Sequence, residues 1–222
     1  MAARQALDRQ PRPGIPAKKS QRDRLIRLAA THPDWVLGFE DETWWSRLAL
    51  PAAHAWAEEG RPLRLVERAV AKDDPDPKAL ACYGISLPAT NETLLRFVDG
   101  RPVSALTTQF LAWCAERLAA RGATALLLPW DNAGWHISKE VRAWRRGHNR
   151  RVKLAGTGVR IVTCQLPVKS PWLNPIEPKW VHGKRRAVEP DRLLTAREVE
   201  ERACEALGSD HEEHLALPKK VA

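Results

Sequence analysis

Three acidic residues stand where predicted secondary-structure elements begin or end. Asp41 closes the apolar run "DWVLGFEDE", Asp131 follows the run "ATALLLPW", and Glu177 opens the helix predicted in "IEPKWVHGKRRAV". In open α/β sheets, functional groups gather at the carboxyl ends of strands, so Asp41 and Asp131 would be neighbours if their strands are adjacent. Close carboxylates repel one another unless they are protonated or bridged by cations. The pattern therefore predicts a site for Mg²⁺ or Mn²⁺, and two such ions could activate an attacking oxygen and stabilise a leaving one.

Two of these acids also have a purely structural interpretation. Asp131 and Asn132 could form a turn, because both side chains can cap their own backbone. Glu177 could complete a capping box whose N-cap residue is Asn174. The sequence leaves these interpretations open, and either could coexist with a role in a site.

Asp41 is flanked by two further acids, Glu40 and Glu42, and the sequence does not say which of the three matters. Side chains alternate between the two faces of a strand. If Asp41 faces the site, Glu40 and Glu42 must therefore point to the other face.

Two polar residues near Asp131 are accessory candidates. His136 could contact a phosphate or orient a water, or it could be an ordinary surface histidine. Asn132 could hold the neighbouring carboxylate, bind phosphate or simply form the turn. Four tryptophans, Trp130, Trp135, Trp172 and Trp180, surround the proposed site. They could brace the backbone by packing or stack on unpaired bases.

Hydrophobic periodicity predicts strands first and then alternating helices and strands. A short helix is predicted over 18–33 and strands over 34–42, 43–51, 61–70, 79–88 and 92–100. Apolar residues spaced four apart predict an amphipathic helix over 104–122. A strand covered on both faces, a basic helix, a strand and a last helix follow, over 123–130, 138–151, 159–167 and 176–188. This order is typical of an α/β fold.

The composition fits one domain of ordinary size. The chain has 222 residues, of which 44% are apolar, and no run approaches the length that spans a bilayer. The four cysteines form no CxxC pair, so a zinc site or a disulfide framework is not expected. A cytoplasmic protein without a membrane partner is expected, and in a bacterium it would be associated with the nucleoid.

The positive charge is concentrated in one part of the chain. The segment 139–186 contains thirteen Lys or Arg and two acids, a local net charge of +11 against +9 for the whole chain. Such a block indicates a polyanion partner, most often nucleic acid, although a merely soluble basic surface is the alternative. Three of the basic residues, Lys184, Arg185 and Arg186, could also complement the dipole of the last predicted helix. The candidate DNA-binding residues are Lys139, Arg142, Arg145, Arg146, Arg150, Arg151, Lys153, Lys184, Arg185 and Arg186.

Three blocks of the sequence carry a family resemblance. "FEDETWW", "LLLPWDNAGWH" and "LPVKSPWLNPIEPKW" resemble the catalytic blocks of mariner-like DDE transposases, especially the bacterial insertion-sequence branch. The third block is the most specific, and the match spans 35–186. The resemblance implies a ribonuclease-H-like mixed sheet flanked by helices, in which Asp41, Asp131 and Glu177 are catalytic and bind two Mg²⁺ or Mn²⁺ ions. It also implies DNA cleavage by water, followed by attack of the freed 3′-hydroxyl on target DNA.

The sequence departs from that family pattern in two places. Glu177 follows Asp131 by 46 positions, which is longer than is usual in the branch, and the excess is expected in a basic loop within 144–160. Only some thirty residues precede the first block, so the helix-turn-helix region that reads transposon ends is expected to be missing. The expected division is a basic tail and helix start over 1–30, a catalytic domain over 31–190 and a helical tail over 191–222.

The expected partners are DNA, as transposon ends and target, together with a homodimer on DNA and a separately encoded helix-turn-helix domain. Two alternatives to an active transposase domain stay open. One is a catalytically silent, DNA-binding remnant, and the other is a cellular ribonuclease-H-like nuclease, against which the third block argues.

Overall fold

Short apolar and β-branched runs pair as strands, and helices cover both faces of the layer that they form. The structure is a computed structural model that describes residues 15–48, 70–187 and 192–218. Residues 1–14 of the basic tail predicted over 1–30, and nearly all of the strand predicted over 61–70, lie outside these ranges. Within them, no helix is long and apolar enough to cross a bilayer. The elements in chain order are α1 (Ile15–Thr31), β1 (Trp35–Leu37), β2 (Phe39–Ser46), β3 (Ala79–Leu87), β4 (Glu92–Val98), α2 (Ser104–Ala119), β5 (Ala125–Trp130), α3 (Lys139–Ala155), β6 (Arg160–Gln165), a 3-10 turn (Pro171–Leu173), α4 (Ile176–Ala187) and α5 (Ala196–Leu207).

The strands form a parallel and an antiparallel sheet that meet at one glycine. The strand orders are β1–β5–β6, all parallel, and β2–β3–β4, all antiparallel. Between β1 and β2, the N–H of Gly38 donates to the carbonyl of Leu127 at 2.9 Å. A Cβ at Gly38 would lie 2.7 Å from Cγ2 of Ile85, so no larger residue fits where the chain passes from one sheet to the other.

The expectation that the first strand ends at the acids is wrong. The strand continues through Ser46, and Asp41 lies in its interior, paired with Gly84 of β3. The antiparallel ladder with β3 runs the full length of β2, and the buried Thr43 and Trp45 extend it beyond the acids. Asp41 and Glu42 accept hydrogen bonds from indole N–H groups, and the buried Glu40 lies beside a histidine ring.

Two apolar cores lie on opposite faces of the layer. One packs β3, β4 and β5 against α2 and α3, and includes Tyr83, Phe110 and Leu126. The other packs the opposite face of β2, β3 and β4 against α4 and α5, and includes Trp45 and Trp180. A smaller cluster seats α1 on β1, β5 and β6. The layer of strands is therefore covered by helices on both faces.

The basic helix α3 is longer than predicted, and most of the loop expected within 144–160 does not exist. The helix continues to Ala155 and ends at Gly156, whose φ of +68° is left-handed. The side chain of Asn149 accepts a hydrogen bond from the N–H of Ile161 at 2.8 Å and donates one to its carbonyl at 2.9 Å. These bonds attach the helix to β6. This tertiary anchor outweighs the low helix propensity of Gly147.

Candidate active site

The three acids singled out in the sequence come together at one edge of the layer. Asp41 projects from β2, Asp131 is the first residue after β5, and Glu177 is the second residue of α4. Burial, and then the carboxylates of Glu177 and Glu42, raise the pKa of Asp41 to about 7, and Asp131 adds to this effect. Burial and Asp131 also raise the pKa of Glu177. The carboxylates are therefore close enough to disfavour one another's ionisation.

An indole holds Asp41 from the α4 side. Nε1–H of Trp180 donates to Oδ2 of Asp41 at 3.0 Å. The ring of Trp180 lies over Gly84, where a Cβ would come within 2.3 Å of Cη2. It also meets Trp45 edge to face, with ring centroids 6.2 Å apart. Asp41 is thus oriented by a side chain that is itself packed into the sheet.

Asp131 both forms a turn and belongs to the acidic site, so the two interpretations coexist. Its Oδ1 accepts hydrogen bonds from the N–H of Ala133 at 2.8 Å and from Nδ1 of His136 at 2.7 Å. Burial acts to raise the pKa of Asp131, but these two hydrogen bonds hold it below the ordinary value. Asp131 is therefore the carboxylate of the three that ionises most readily.

His136 is not a surface residue, and the surface interpretation is wrong. The side chain is 1% exposed and stacks on Trp130 with ring centroids 4.6 Å apart. While Nδ1 faces Asp131, Nε2 lies 2.9 Å from Oε1 of Glu42 and 3.2 Å from Oε2 of Glu40. Burial disfavours a charged ring, yet these carboxylates raise the pKa of His136 well above its ordinary value. Because a carboxylate oxygen lies within hydrogen-bond distance of each ring nitrogen, the favoured form is the imidazolium, which donates from both.

The alternation predicted along β2 is confirmed. Glu40 and Glu42 reach His136 on one face, and Asp41 reaches Trp180 on the other. Burial raises the pKa of Glu40 to about 8, against the opposing effect of His136. Nε1–H of Trp135 donates to Glu42 at 2.7 Å. The ligand atoms of Glu40, Glu42 and His136 lie within 4.8 Å of one another, and the imidazolium supplies the positive charge among them.

The capping box proposed for Glu177 does not form. The N–H of Glu177 donates to the main-chain carbonyl of Asn174 at 3.2 Å, whereas the Asn174 side chain donates to the carbonyl of Glu40 at 3.0 Å. Among the described residues, the Glu177 carboxylate has no hydrogen-bond partner. With Oδ1 of Asp41 and Oδ2 of Asp131, it gives the site several uncommitted carboxylate oxygens, the donor set that a hard divalent cation requires.

Two loops at the site are fastened to each other and to α1. The side chain of Asn132 donates to the carbonyl of Leu166 at 2.6 Å and accepts from Nζ of Lys18 at 3.1 Å. Lys18 also donates to Leu166 at 3.3 Å, and Arg22 donates to the carbonyl of Leu173 at 3.3 Å. Asn132 does not hold the neighbouring carboxylate, so that interpretation of Asn132 is wrong. It joins the loop after β5 to the loop that leads to Glu177.

These two loops enclose an open cleft of about 270 Å³. Asp131 and Glu177 lie in its wall. Ser170 and Asn174 line it too, and each has a buried oxygen without a hydrogen-bond partner among the described residues. The remaining lining residues are Asn132, Ala133, Leu166, Pro167, Val168, Lys169 and Pro171.

Most of the candidate DNA-binding residues form an exposed stripe along α3. Those spaced three or four apart on this helix are Lys139, Arg142, Arg146, Arg150 and Lys153, all exposed. Arg151 is exposed beside them, and Arg185 and Arg186 are exposed on α4. Arg145 is half-buried in a groove with Lys18 and Gln165. Lys184 is also half-buried, and its charge acts on Asp41 and Glu177, so the structure places it with the acids.

Sequence reasoning missed Lys18 and Arg22, whose partners lie more than 110 positions away along the chain. They belong to a predicted helix that contains three other Lys or Arg, so no signal distinguished them. The role of Glu40 and Glu42 beside His136 was also missed. Strand alternation placed both on the face away from Asp41, but nothing in the sequence showed that a histidine lies there.

The mixed layer of parallel and antiparallel strands, with helices on both faces, defines a ribonuclease-H-like fold. Solved structures with this fold include the Mos1 transposase paired-end complex with left transposon end. It matches with a TM-score of 0.61 and 14% identity, over 96% of this chain and 60% of that one. The catalytic domain of Mos1 mariner transposase matches with a TM-score of 0.55 and 13% identity, over 90% of this chain and 83% of that one. The chain thus spans about 60% of the length of the transposase in the paired-end complex.

The sequence itself identifies the family. The model of the family described as DDE superfamily endonuclease matches residues 37–199, nearly three quarters of the chain. The chain belongs to the DDE superfamily endonucleases. No curated protein matches it.

Proposed function

We propose that this chain is the catalytic domain of a mariner-like transposase, which cleaves DNA strands and joins a 3′-hydroxyl end to target DNA. One observation carries the proposal. Asp131 and Glu177 line one cleft, and burial, together with the carboxylates of Glu177, Glu42 and Asp131, raises the pKa of Asp41 on the neighbouring strand β2 to about 7. Such a cluster is costly by itself and is stabilised by cations. Family membership and the fold support the same conclusion.

The residues present fit a divalent metal site. Asp41 and Asp131 each commit one carboxylate oxygen to a hydrogen bond and keep the other free, and Glu177 keeps both. We propose that these three side chains hold two Mg²⁺ or Mn²⁺ ions. The solved Mos1 mariner paired end complex with Mn is of the same fold. When bound, such ions neutralise phosphate charge and acidify a water or hydroxyl.

The chain's own residues would orient the ligands and bind the substrate. His136 and Ala133 fix the rotamer of Asp131, and Trp180 fixes that of Asp41. The exposed stripe on α3 would neutralise DNA phosphates, each contact steepening the salt dependence of binding by about 0.9 log units per log unit of salt. We further propose that the domain acts as a homodimer on DNA, together with a separately encoded helix-turn-helix domain.

The decisive experiment is nicking of supercoiled plasmid in Mg²⁺ or Mn²⁺ by the Asp131→Asn variant. The expected loss is at least about a hundredfold, since metal-ion stabilisation of the transition state is worth several kcal/mol. Asp73→Asn is the matched control, because Asp73 is exposed and does not line the cleft. Unchanged nicking by a folded Asp131→Asn protein would refute the mechanism. If the wild-type protein binds DNA but does not bind metal and does not cleave DNA, it is instead a silent remnant.

Lys18 provides a second test, directed at the loops rather than at the ligands. Lys18→Met is expected to lower the nicking rate about tenfold, because small misplacements of catalytic groups cost one to two orders of magnitude. Lys19→Met removes the same charge from the neighbouring exposed position, where the side chain makes no hydrogen bond to either loop. Both variants should lose similar DNA affinity. Equal nicking rates for the two would contradict a positioning role for Lys18.

A further inference from the structure

One of the four tryptophans around the site is not packed. Trp130 and Trp180 are buried, and Trp135 is half-buried and bonded to Glu42. Trp172, in contrast, is 73% exposed. For Trp172, the interpretation that it braces the backbone is therefore wrong, and its large apolar ring faces solvent.

The backbone that carries Trp172 is firmly anchored. Trp172 is the middle residue of the 3-10 turn, which begins at Pro171 and is closed by hydrogen bonds from Leu173 to Ser170 at 3.0 Å and from Asn174 to Pro171 at 2.8 Å. Leu173 and Asn174 are buried directly after it, and the side chain of Asn174 donates to β2. The indole is thus presented on a fixed base, which lowers the entropy lost when a ligand orders it.

This turn is also part of the acidic cleft. Ser170, Pro171 and Asn174 line the cleft that contains Asp131 and Glu177, and Trp172 extends outward from the same turn. Val168, 59% exposed, and the exposed Lys169 precede it in the same loop. An apolar ring, an apolar side chain and an ammonium group therefore lie together at the rim of the proposed cleavage site.

We propose that Trp172 is a stacking platform for an unpaired nucleobase next to the phosphate bound in the cleft. Every base presents a π-face, so stacking on an aromatic ring recognises unpaired DNA with little sequence preference. Bases inside a duplex are already stacked on their neighbours and are unavailable to the ring. Lys169 would neutralise a phosphate of the same strand. The inference rests on the proposed function, because it takes DNA as the occupant of the cleft.

The test measures binding without cleavage, in EDTA, to a single-stranded oligonucleotide and to a blunt duplex of the same length. Trp172→Ala should weaken binding of the single strand about tenfold and leave duplex binding nearly unchanged. Trp172→Phe should retain most of the affinity because it keeps an aromatic face. Trp44→Ala is the matched control, since Trp44 is 48% exposed on β2 and does not line the cleft.

Stacking and charge respond differently to salt, which sharpens the test. The fold-loss caused by Trp172→Ala should be the same at low and high salt, whereas a loss of phosphate contacts would shrink as salt rises. Equal losses on both DNAs, no loss on either, or no DNA binding by the wild type would overturn the platform. A change in oligomeric state for Trp172→Ala, measured by light scattering, would assign the ring to a second copy instead. If the wild type failed to nick DNA, but Trp172→Ala still weakened binding of the single strand selectively, only the proposed function would be refuted.

Discussion

Replacing Asp41 with asparagine is expected to abolish metal-dependent DNA cleavage and, at the same time, to stabilise the metal-free fold. The folded-state pKa of Asp41 is about 7, raised from 3.8 by burial and by neighbouring carboxylates. A carboxyl whose pKa is higher in the folded state destabilises the fold whenever it is ionised. Asparagine removes that charge and can still accept the hydrogen bond from Trp180.

The stability gained by Asp41→Asn is expected to increase with pH. Below pH 3.8 the carboxyl is protonated in both the folded and the unfolded chain, so the substitution changes little. Above pH 7 the full penalty is present, and the free energy of unfolding should rise by about 1–3 kcal/mol in EDTA. Urea unfolding of both proteins across this pH range measures the effect.

A divalent cation should reverse the order of stability. Mg²⁺ or Mn²⁺ should bind the folded wild type and raise its Tm by an amount that grows with the logarithm of the cation concentration over Kd, but it should not raise the Tm of Asp41→Asn. Asp73→Asn again serves as the control and should show neither the gain in EDTA nor the loss of metal response. If neither cation changed the Tm of the wild type, the assignment of Asp41 as a ligand would be contradicted.

Removing the imidazole of His136 should be among the most destabilising single changes in the chain. The ring is the cation between Glu42 and Asp131, beside the buried Glu40, and the Glu42 side chain is only 7% exposed. Breaking a buried ion pair from one side costs about 3–5 kcal/mol because a charge is left unpaired. We therefore expect His136→Ala to lower the free energy of unfolding by about that amount, measured by urea denaturation at neutral pH.

Two comparisons separate the charge effect from lost packing. His148 stacks on Trp144 and donates one hydrogen bond to the carbonyl of Val159, and it has no carboxylate partner within the described part of the chain. His148→Ala should therefore cost only about 1 kcal/mol beyond packing. Adding Glu42→Gln to His136→Ala should recover part of the loss, since it removes one of the unpaired charges. A cost for His136→Ala no larger than that for His148→Ala would exclude the ion-pair explanation.

Much of the fold was predictable because local pattern and tertiary environment agree. The apolar run before Asp131 is a strand buried on both faces, and the four-residue spacing from Leu106 to Leu118 is the buried face of α2. The positions of Asp131 and Glu177, directly after a strand and in the first turn of a helix, also follow from local signals.

The remaining features depend on contacts that local pattern does not encode. The acids of β2 end an apolar run in the sequence, but the ladder with β3 carries the strand past them. The burial of His136 depends on two carboxylates more than 90 positions earlier, and one hydrogen bond of the Asn132 side chain depends on Lys18. The length of α3 depends on the hydrogen bonds of Asn149 to β6.

The contact between Trp180 and Gly84 makes strand register a condition for an intact site. Gly84 is the residue paired with Asp41, and it is the position in β3 whose missing side chain admits the indole that holds Asp41. A slip of one residue between β2 and β3 would place Tyr83 or Ile85 opposite Asp41 and would invert the faces of every side chain in the slipped strand. A misregistered chain could therefore bury apolar surface but could not orient this carboxylate. Correct pairing of two neighbouring strands and assembly of the acidic edge are, in this molecule, a single structural event.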